Sequence, residues 1–237
     1  MTDTSSNAAG PAWAARPVSL AAANDSLSNS VSYYESDRAE MIAFLPSDPG
    51  RLLDVGCGEG LFGQGVKKRF PRCETWGIEL VAKAAEKAAS RNDRVINVPL
   101  EQSGIPAEHF DVVTMNDVLE HITWPGSTLA EVKRVLKPDG TLVISLPNVQ
   151  FLLNVLNLVV RNDWQYQDSG ILDHTHMRFY TAKSACRLVE EAGFRVEKIV
   201  GINPMRPKWY YRVLFVLVPR FRWMTFYQFA IVARPQK

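Results

Sequence analysis

The chain has 237 residues, of which 46% are hydrophobic and 22% charged, and its net charge is +2. This composition is that of a globular protein with one sizeable core, and the near-neutral charge gives no sign of a nucleic-acid partner. The three cysteines are scattered without disulfide-framework or metal-ligand spacing, which favours a reducing compartment. We therefore expect a cytoplasmic protein.

The N-terminal region divides into a tail and the start of a domain. Residues 1–30 are rich in Ala, Ser and Asn and lack the basic start and apolar run of a signal peptide. They predict a disordered tail, and residues 31–237 then form the folded domain. Within it, residues 33–45 predict an amphipathic helix that ends at Pro46.

The next stretch, residues 51–63, predicts a strand, a glycine turn and a helix. Its apolar run is typical of a strand buried on both faces, and the glycines let a backbone approach a nucleotide-like ligand closely. Gly58, Gly60 and Gly63 fit the dinucleotide fingerprint G-x-G-x-x-G. The same turn also fits D-x-G-x-G-x-G, which begins at Asp54. A carboxylate there suits a cofactor that carries cationic groups and opposes a pyrophosphate.

The later chain continues as alternating strands and helices, which is typical of an α/β fold. Strands are predicted at residues 75–80, 94–98, 110–115, 141–148, 194–202 and 226–234, and helices at 81–90, 129–136 and 182–192. Two apolar segments, 149–160 and 208–222, are too short to span a bilayer. We expect them to pack on the core as lid helices, within lid regions at about 149–181 and 203–225.

The glycine turn resembles motif I of the class I S-adenosylmethionine-dependent methyltransferases. Asp-Val-Leu-Glu-His at residues 117–121 and the Leu-Lys-Pro-Asp-Gly turn at 136–140 are similar to later motifs of that family. The resemblance implies a Rossmann-like three-layer α/β sandwich, with a seven-stranded, mostly parallel sheet whose last strand is antiparallel. It also implies S-adenosylmethionine as the cofactor.

The resemblance extends to individual cofactor contacts. Glu79 follows the second strand and is expected to accept hydrogen bonds from the ribose hydroxyls, with Leu80 against the adenine. Pro99 replaces an aspartate that family members commonly carry near the adenine. The implied cofactor-binding set is Asp54, Gly56, Cys57, Gly58, Gly60, Glu79, Leu80, Leu100, Glu101 and Asn116.

The expected catalytic residues are Asp117, His121 and His176. Asp117 follows the fourth strand, at the edge near the transferable methyl group, and His121 is a candidate general base or a residue that only holds a loop. His176 is the other candidate base. In the preceding helix, Tyr34 and Arg38 are placed by the resemblance within reach of the active site.

The segment 172–181 resembles one found in methyltransferases common in bacterial cell-surface polysaccharide clusters. On that resemblance Asp173, His176 and Arg178 face the substrate or anchor a lid. A metal site at Asp173, His174 and His176 was the competing interpretation, because histidines two apart on a strand point the same way. The resemblance argues against it, so no metal is expected.

The reaction implied is methyl transfer to an oxygen, nitrogen or carbon atom of a small-molecule or lipid-linked acceptor, with a sugar as one option. Basic and aromatic residues around the apolar segments also suit peripheral contact with the inner membrane face. Two alternatives remain open, namely a non-catalytic S-adenosylmethionine-binding partner protein and a nicotinamide-dependent oxidoreductase.

Overall fold

The computed structural model describes residues 38–205 and 218–236, so the predicted tail lies outside the described residues. A seven-stranded sheet runs through this part of the chain in the order β3-β2-β1-β4-β5-β7-β6. The strands are β1 Arg51–Val55, β2 Glu74–Ile78, β3 Arg94–Ile96, β4 Phe110–Asn116, β5 Leu136–Pro147, β6 Phe194–Pro204 and β7 Phe226–Pro235. The helices are α1 Ala39–Ile42, α2 Leu61–Arg69, α3 Ala82–Ala88, α4 Pro125–Val135, α5 Leu152–Val160 and α6 Ala182–Glu191.

Strand direction confirms the predicted fold class. β1 pairs in parallel with β2 and β4, and β4 pairs in parallel with β5. Only β7 is reversed, since it pairs antiparallel with both β5 and β6. The strand order changes direction between β1 and β4, and ligands of open α/β sheets bind at such a switch point, beyond the carboxyl ends of the strands.

The central strands are buried on both faces. Leu53, Val113 and Ile144 lie in the core on one side of the sheet, and the residues before them in sequence lie in the core on the other side. This packing explains why β1, β4 and β5 appear in the sequence as continuous apolar runs. It also fixes the register that brings the carboxyl ends of β1 and β4 together.

Several predicted boundaries were wrong. α4 begins at Pro125 rather than residue 129, because proline is favoured in the first turn of a helix. β5 begins at Leu136, and a register shift against β4 accommodates the predicted turn at 137–140 inside the strand. β3 ends at Ile96, two residues before the predicted end. Of the helix predicted at 33–45, residues 33–37 lie outside the described range, and α1 ends at Ile42, so residues 43–45 are not helical.

The first apolar segment packs only at its start, and not along its length as predicted. In α5 only Leu152 is buried, whereas Leu153, Val159 and Val160 are each more than half exposed. Most of the second segment, residues 208–217, lies outside the described residues. Among the helices that the structure describes, none is both long and apolar enough to cross a membrane.

A glycine-to-alanine exchange tests the turn after β1. Gly56 has φ +71°, and a Cβ atom there would lie 2.6 Å from Cγ2 of Val118. We expect Gly56→Ala to lower the free energy of unfolding by about 2 kcal/mol or more, from left-handed strain and steric overlap. Gly126→Ala is the matched control, because a Cβ there meets nothing within 4 Å. Equal urea midpoints for the two variants would contradict the role assigned to the turn.

Candidate active site

The glycine turn is built against β2. Gly56, Gly58 and Gly60 all have positive φ, at 71°, 54° and 80°. The backbone N–H groups of Gly56 and Cys57 both donate to the carbonyl of Ile78, at 2.8 and 2.9 Å. A turn held in this way keeps its backbone open to a ligand without Cβ interference.

Glu79 connects the turn to the start of α3. Its carboxylate accepts from the N–H of Gly58 at 2.9 Å and from the N–H of Val81 at 2.8 Å. Burial raises the pKa of Glu79. Each carboxylate oxygen has a further lone pair, so Glu79 can hold the turn and still accept hydrogen bonds from the hydroxyl groups of a ligand.

Asp54 lies buried beneath the turn. Its Oδ1 accepts from Thr114 Oγ1 at 2.6 Å and, more weakly, from Asn116 Nδ2 at 3.4 Å. Burial raises the pKa of Asp54 to about 7. Asn116 Oδ1 is a buried atom with no hydrogen-bond partner in the described part of the chain. A buried orphan acceptor beside a buried carboxylate suits a ligand with cationic and N–H groups.

S-adenosylmethionine fits this arrangement. Its ammonium and sulfonium groups suit the Asp54 carboxylate, and its ribose suits Glu79. Leu80 is 54% exposed although apolar, which leaves a face for a ring to cover. The Cys57 thiol is buried and its pKa is raised by burial, so it serves as a small turn residue and not as a nucleophile.

The two residues expected near the adenine differ in their surroundings. Leu100 is 2% exposed and starts a short 3₁₀ helix, Leu100–Gln102. Glu101 is exposed, and its Oε1 accepts from Thr128 Oγ1 of α4 at 2.9 Å. The structure therefore ties Glu101 to α4.

Asp117 is the centre of a polar network that the sequence did not reveal. It has φ +55°, and its carboxylate pairs with Arg38. Ser145 Oγ donates to its Oδ1 at 2.8 Å, and Gln228 Nε2 donates to its Oδ2 at 2.6 Å. Arg38 also donates to Ser145 Oγ at 2.9 Å, so the Arg38 side chain is bonded to protein groups beside the site.

His121 is oriented by a chain of hydrogen bonds. Thr175 Oγ1 lies 2.6 Å from Asp173 Oδ1 and 3.1 Å from His121 Nδ1. Because a carboxylate can only accept, the Thr175 hydroxyl donates its hydrogen bond to Asp173. We therefore place a proton on His121 Nδ1, which donates to the Thr175 oxygen. The Nε2 atom then keeps its lone pair. Burial, followed by the neighbouring His176, lowers the pKa of His121 to about 4, so the ring is neutral.

His176 is packed against His121 and buried. The two ring centroids are 4.7 Å apart, and His176 Nδ1 lies 3.0 Å from the carbonyl oxygen of Ile171. Glu120 is 1% exposed, and its Oε1 lies 3.9 Å from His176 Nε2. Glu120 lies inside the Asp-Val-Leu-Glu-His motif, but the sequence analysis did not predict its burial, because residue type alone does not indicate whether an acid is buried.

The other residues that were considered in the substrate region have different surroundings. Arg178 donates through Nε to the carbonyl of Thr123 at 3.1 Å, and its backbone N–H donates to the carbonyl of Glu120. These contacts favour the anchoring role for Arg178. The His174 side chain is 61% exposed and its ring stacks on Tyr166. Tyr34 lies outside the described residues.

The raised pKa of Asp54 predicts a pH effect on stability. The unfolded carboxyl titrates near 3.8 and the folded one near 7, so the folded state binds more protons between these values. Stability then falls as pH rises across this window, by at most about 1.4 kcal/mol per pH unit. We expect Asp54→Asn to remove this slope in urea denaturation between pH 5 and 7. Parallel stability curves for wild type and variant would contradict the assignment.

Comparison with known proteins places the chain in a family. A family model for methyltransferase domains matches residues 31–199. The chain is 27% identical over 168 residues to a mitochondrial ubiquinone biosynthesis O-methyltransferase of Schizosaccharomyces pombe, covering 67% of this chain and 61% of that protein. It is 30% identical over 169 residues to the ubiquinone biosynthesis O-methyltransferase of Dechloromonas aromatica, covering 67% and 71%.

A solved structure shares the fold. A SAM-dependent methyltransferase from Archaeoglobus fulgidus superposes with a TM-score of 0.63 at 20% identity, covering 82% of this chain and 90% of that one. The chain spans about three fifths to two thirds of the length of the first two curated relatives that it matches. The family match covers well over half of the chain and coincides with the glycine turn and the sheet. The chain therefore belongs to the methyltransferase-domain family.

Proposed function

We propose that the protein transfers the methyl group of S-adenosylmethionine to a hydroxyl oxygen of a small-molecule acceptor. The observation that carries this proposal is the hydrogen-bond chain from Asp173 through Thr175 to His121, which orients a neutral imidazole beyond β4. Asn116 is the last residue of β4, and Asp117 and His121 follow it at the same edge of the sheet. Oxygen is favoured as the acceptor because the curated relatives above are named O-methyltransferases.

On this proposal the cofactor is held by residues of the turn and the strand ends. The backbone of Gly56, Gly58 and Gly60 would line the cofactor. Glu79 would accept hydrogen bonds from the ribose hydroxyls, and Asp54 would face the ammonium and sulfonium groups. Bound S-adenosylmethionine supplies a methyl group on a sulfonium, whose sulfur is a good leaving group. Positioning of the acceptor oxygen in line with that bond then accounts for a large part of the acceleration.

The acceptor hydroxyl must lose a proton, and we assign this task to His121. Its Nε2 accepts the proton. The imidazolium that forms is stabilised because Nδ1–H donates to Thr175 Oγ1, which donates in turn to the Asp173 carboxylate. His176 packs against the imidazole and keeps the ring in place. Asp117, held by Arg38 and Gln228, provides a fixed negative charge beside the acceptor.

A lipid-linked or sugar acceptor is the finer form of the proposal. The exposed apolar side chains of α5 support it, because Leu153, Val159 and Val160 offer a surface to a lipid chain or to the inner membrane face. We further propose that residues 31–237 form one methyltransferase domain, with lid regions at 149–181 and 203–225. The anchoring of Arg178 to the segment that carries His121 supports the first lid.

The proposal is tested by methyl transfer from tritiated S-adenosylmethionine to a panel of phenols, sugar nucleotides and lipid-linked sugars. We expect release of S-adenosylhomocysteine that depends on one acceptor class and gives a methyl ether. Binding of S-adenosylmethionine without turnover on any member of the panel would instead favour the non-catalytic partner protein.

A further inference from the structure

We propose that Glu120 is a positioning residue, whose neutral carboxyl group donates a hydrogen bond to His176 and so fixes the ring that packs against His121. The inference deepens the proposed function and rests on it, because acceptor activation is assigned to His121. The effect of Glu120 reaches that residue through His176, since the centroids of the two imidazole rings are 4.7 Å apart. Glu120 itself is 1% exposed and is assigned no contact with the acceptor.

The backbone holds Glu120 and His176 in a fixed relation. The carbonyl oxygen of Glu120 accepts from the N–H groups of Met177 and Arg178, at 2.9 and 3.1 Å. The residues that directly follow His176 are therefore bonded to Glu120. Between the side chains, Glu120 Oε1 lies 3.9 Å from His176 Nε2. A side-chain shift of about 1 Å brings these two atoms within hydrogen-bond distance.

His176 presents an acceptor to Glu120. The Nδ1 atom of His176 lies 3.0 Å from the carbonyl oxygen of Ile171. A carbonyl oxygen can only accept, so we place the proton of the neutral ring on Nδ1. Nε2 then carries the lone pair, and the group that bonds to it has to be a donor. A carboxyl group donates only when it is protonated, which assigns the neutral form to Glu120.

The alternative is an ion pair, in which the same proton has moved from Glu120 to His176. The two side chains are 1% and 4% exposed, so both charges would be removed from water. The attraction between buried charges offsets this cost only when further hydrogen bonds complete the pair. Within residues 38–205 and 218–236, neither carboxyl oxygen of Glu120 has a hydrogen-bond partner. Burial, followed by the Asp117 carboxylate, raises the pKa of Glu120 well above its ordinary value, which agrees with the neutral form.

Tyr180 offers a partner for the second oxygen of the carboxyl group. Its Oη is a buried atom without a hydrogen-bond partner in the described part of the chain. Burial raises the pKa of Tyr180 to about 12, and the Glu120 carboxylate adds to the rise, so the two groups are close. A phenol donates and the carbonyl oxygen of a neutral carboxyl group accepts, so one hydrogen bond satisfies both. Tyr180→Phe should therefore have a smaller effect than the loss of Glu120.

The first test is long-range ¹⁵N–¹H NMR of the full chain at pH 7, which reports the protonation of each imidazole nitrogen. The chain has four histidines, and His176→Gln identifies the signals of His176. We expect a neutral ring with its proton on Nδ1 in the wild type and in Glu120→Gln, because the amide N–H also donates. In Glu120→Ala the Nε2 signal should shift towards that of a nitrogen without a hydrogen bond. A doubly protonated His176 in the wild type would overturn the neutral-acid assignment.

The second test is steady-state kinetics with an active acceptor. Glu120→Ala should lower kcat by about tenfold, the change expected from loss of one hydrogen bond, whereas Glu120→Gln should stay within about threefold of the wild type. The Kd for S-adenosylmethionine should be unchanged in both variants. Glu131→Gln is the matched control, because it makes the same exchange in α4, where Glu131 pairs with Arg134. It should change neither kcat nor the NMR signals of His176.

The outcomes separate this inference from the proposed function. If Glu120→Gln loses as much activity as Glu120→Ala, the site needs a carboxylate and the inference is overturned. A lower urea midpoint for Glu120→Ala with wild-type kcat shows a purely structural role and also overturns it. If the alanine variant fails to fold, Glu120→Gln and the wild-type spectra still decide. The spectra need no acceptor, so they remain decisive if no acceptor is methylated and the proposed function fails.

Discussion

Replacement of His121 by alanine is expected to lower kcat by about 10²–10⁴-fold, the range that a positioned proton-transfer group contributes. The Kd for S-adenosylmethionine should stay within about twofold, because the ring belongs to the acceptor end and not to the glycine turn. Steady-state kinetics with an active acceptor, together with calorimetry of cofactor binding, measure the two quantities. His176→Ala removes the ring that packs against His121, so kcat should fall by a smaller factor while the Kd for S-adenosylmethionine stays unchanged.

Two companion variants make the His121 result specific. Thr175→Val removes the acceptor of the Nδ1 proton, so kcat should fall by a smaller factor than in His121→Ala. His174→Ala alters an exposed ring outside the chain of hydrogen bonds from Asp173 to His121 and should leave kcat unchanged. A loss of cofactor affinity in His121→Ala with kcat retained would refute its assigned role in acceptor activation.

The second large effect is expected at Glu79. Glu79→Ala should weaken S-adenosylmethionine binding by at least about 100-fold, because hydrogen bonds to a charged group contribute about 1.5–3 kcal/mol each. The variant also releases the N–H groups of Gly58 and Val81, so the turn itself loses its fixed shape. Calorimetric titration with S-adenosylmethionine measures the change.

Glu74→Ala is the matched control for Glu79. It removes an acid from the opposite end of the same strand, where Glu74 pairs with Arg51. Cofactor affinity should therefore be unchanged in this variant. Equal weakening in both variants would indicate a general loss of structure in place of a lost ribose contact.

The cofactor end of the site was predictable because its signals are local in sequence. The apolar runs lie within β1 and β4, and the glycine turn and the acid after β2 directly follow single strands. Strands buried on both faces are apolar along their whole length, and left-handed φ values favour glycine. The fold class was implied by the resemblance to the class I methyltransferases, and the sheet order and strand directions confirm it.

The acceptor end was less predictable because its contacts join distant parts of the chain. Arg38 and Gln228 reach Asp117 from 79 and 111 residues away. Glu120 would be read as a solvated acid in any pattern based on hydropathy, yet it is buried. The prediction for α5 failed for the opposite reason, since an apolar run indicates burial only when the fold supplies a partner for it.

The most direct test of the account is calorimetric titration of the purified protein with S-adenosylmethionine and S-adenosylhomocysteine, followed by NADH. We expect one molecule of either sulfur compound to bind per chain with micromolar affinity, and NADH to leave that binding unchanged. No binding of S-adenosylmethionine, or its displacement by NADH, would contradict the assignment of the glycine turn and Glu79 to this cofactor.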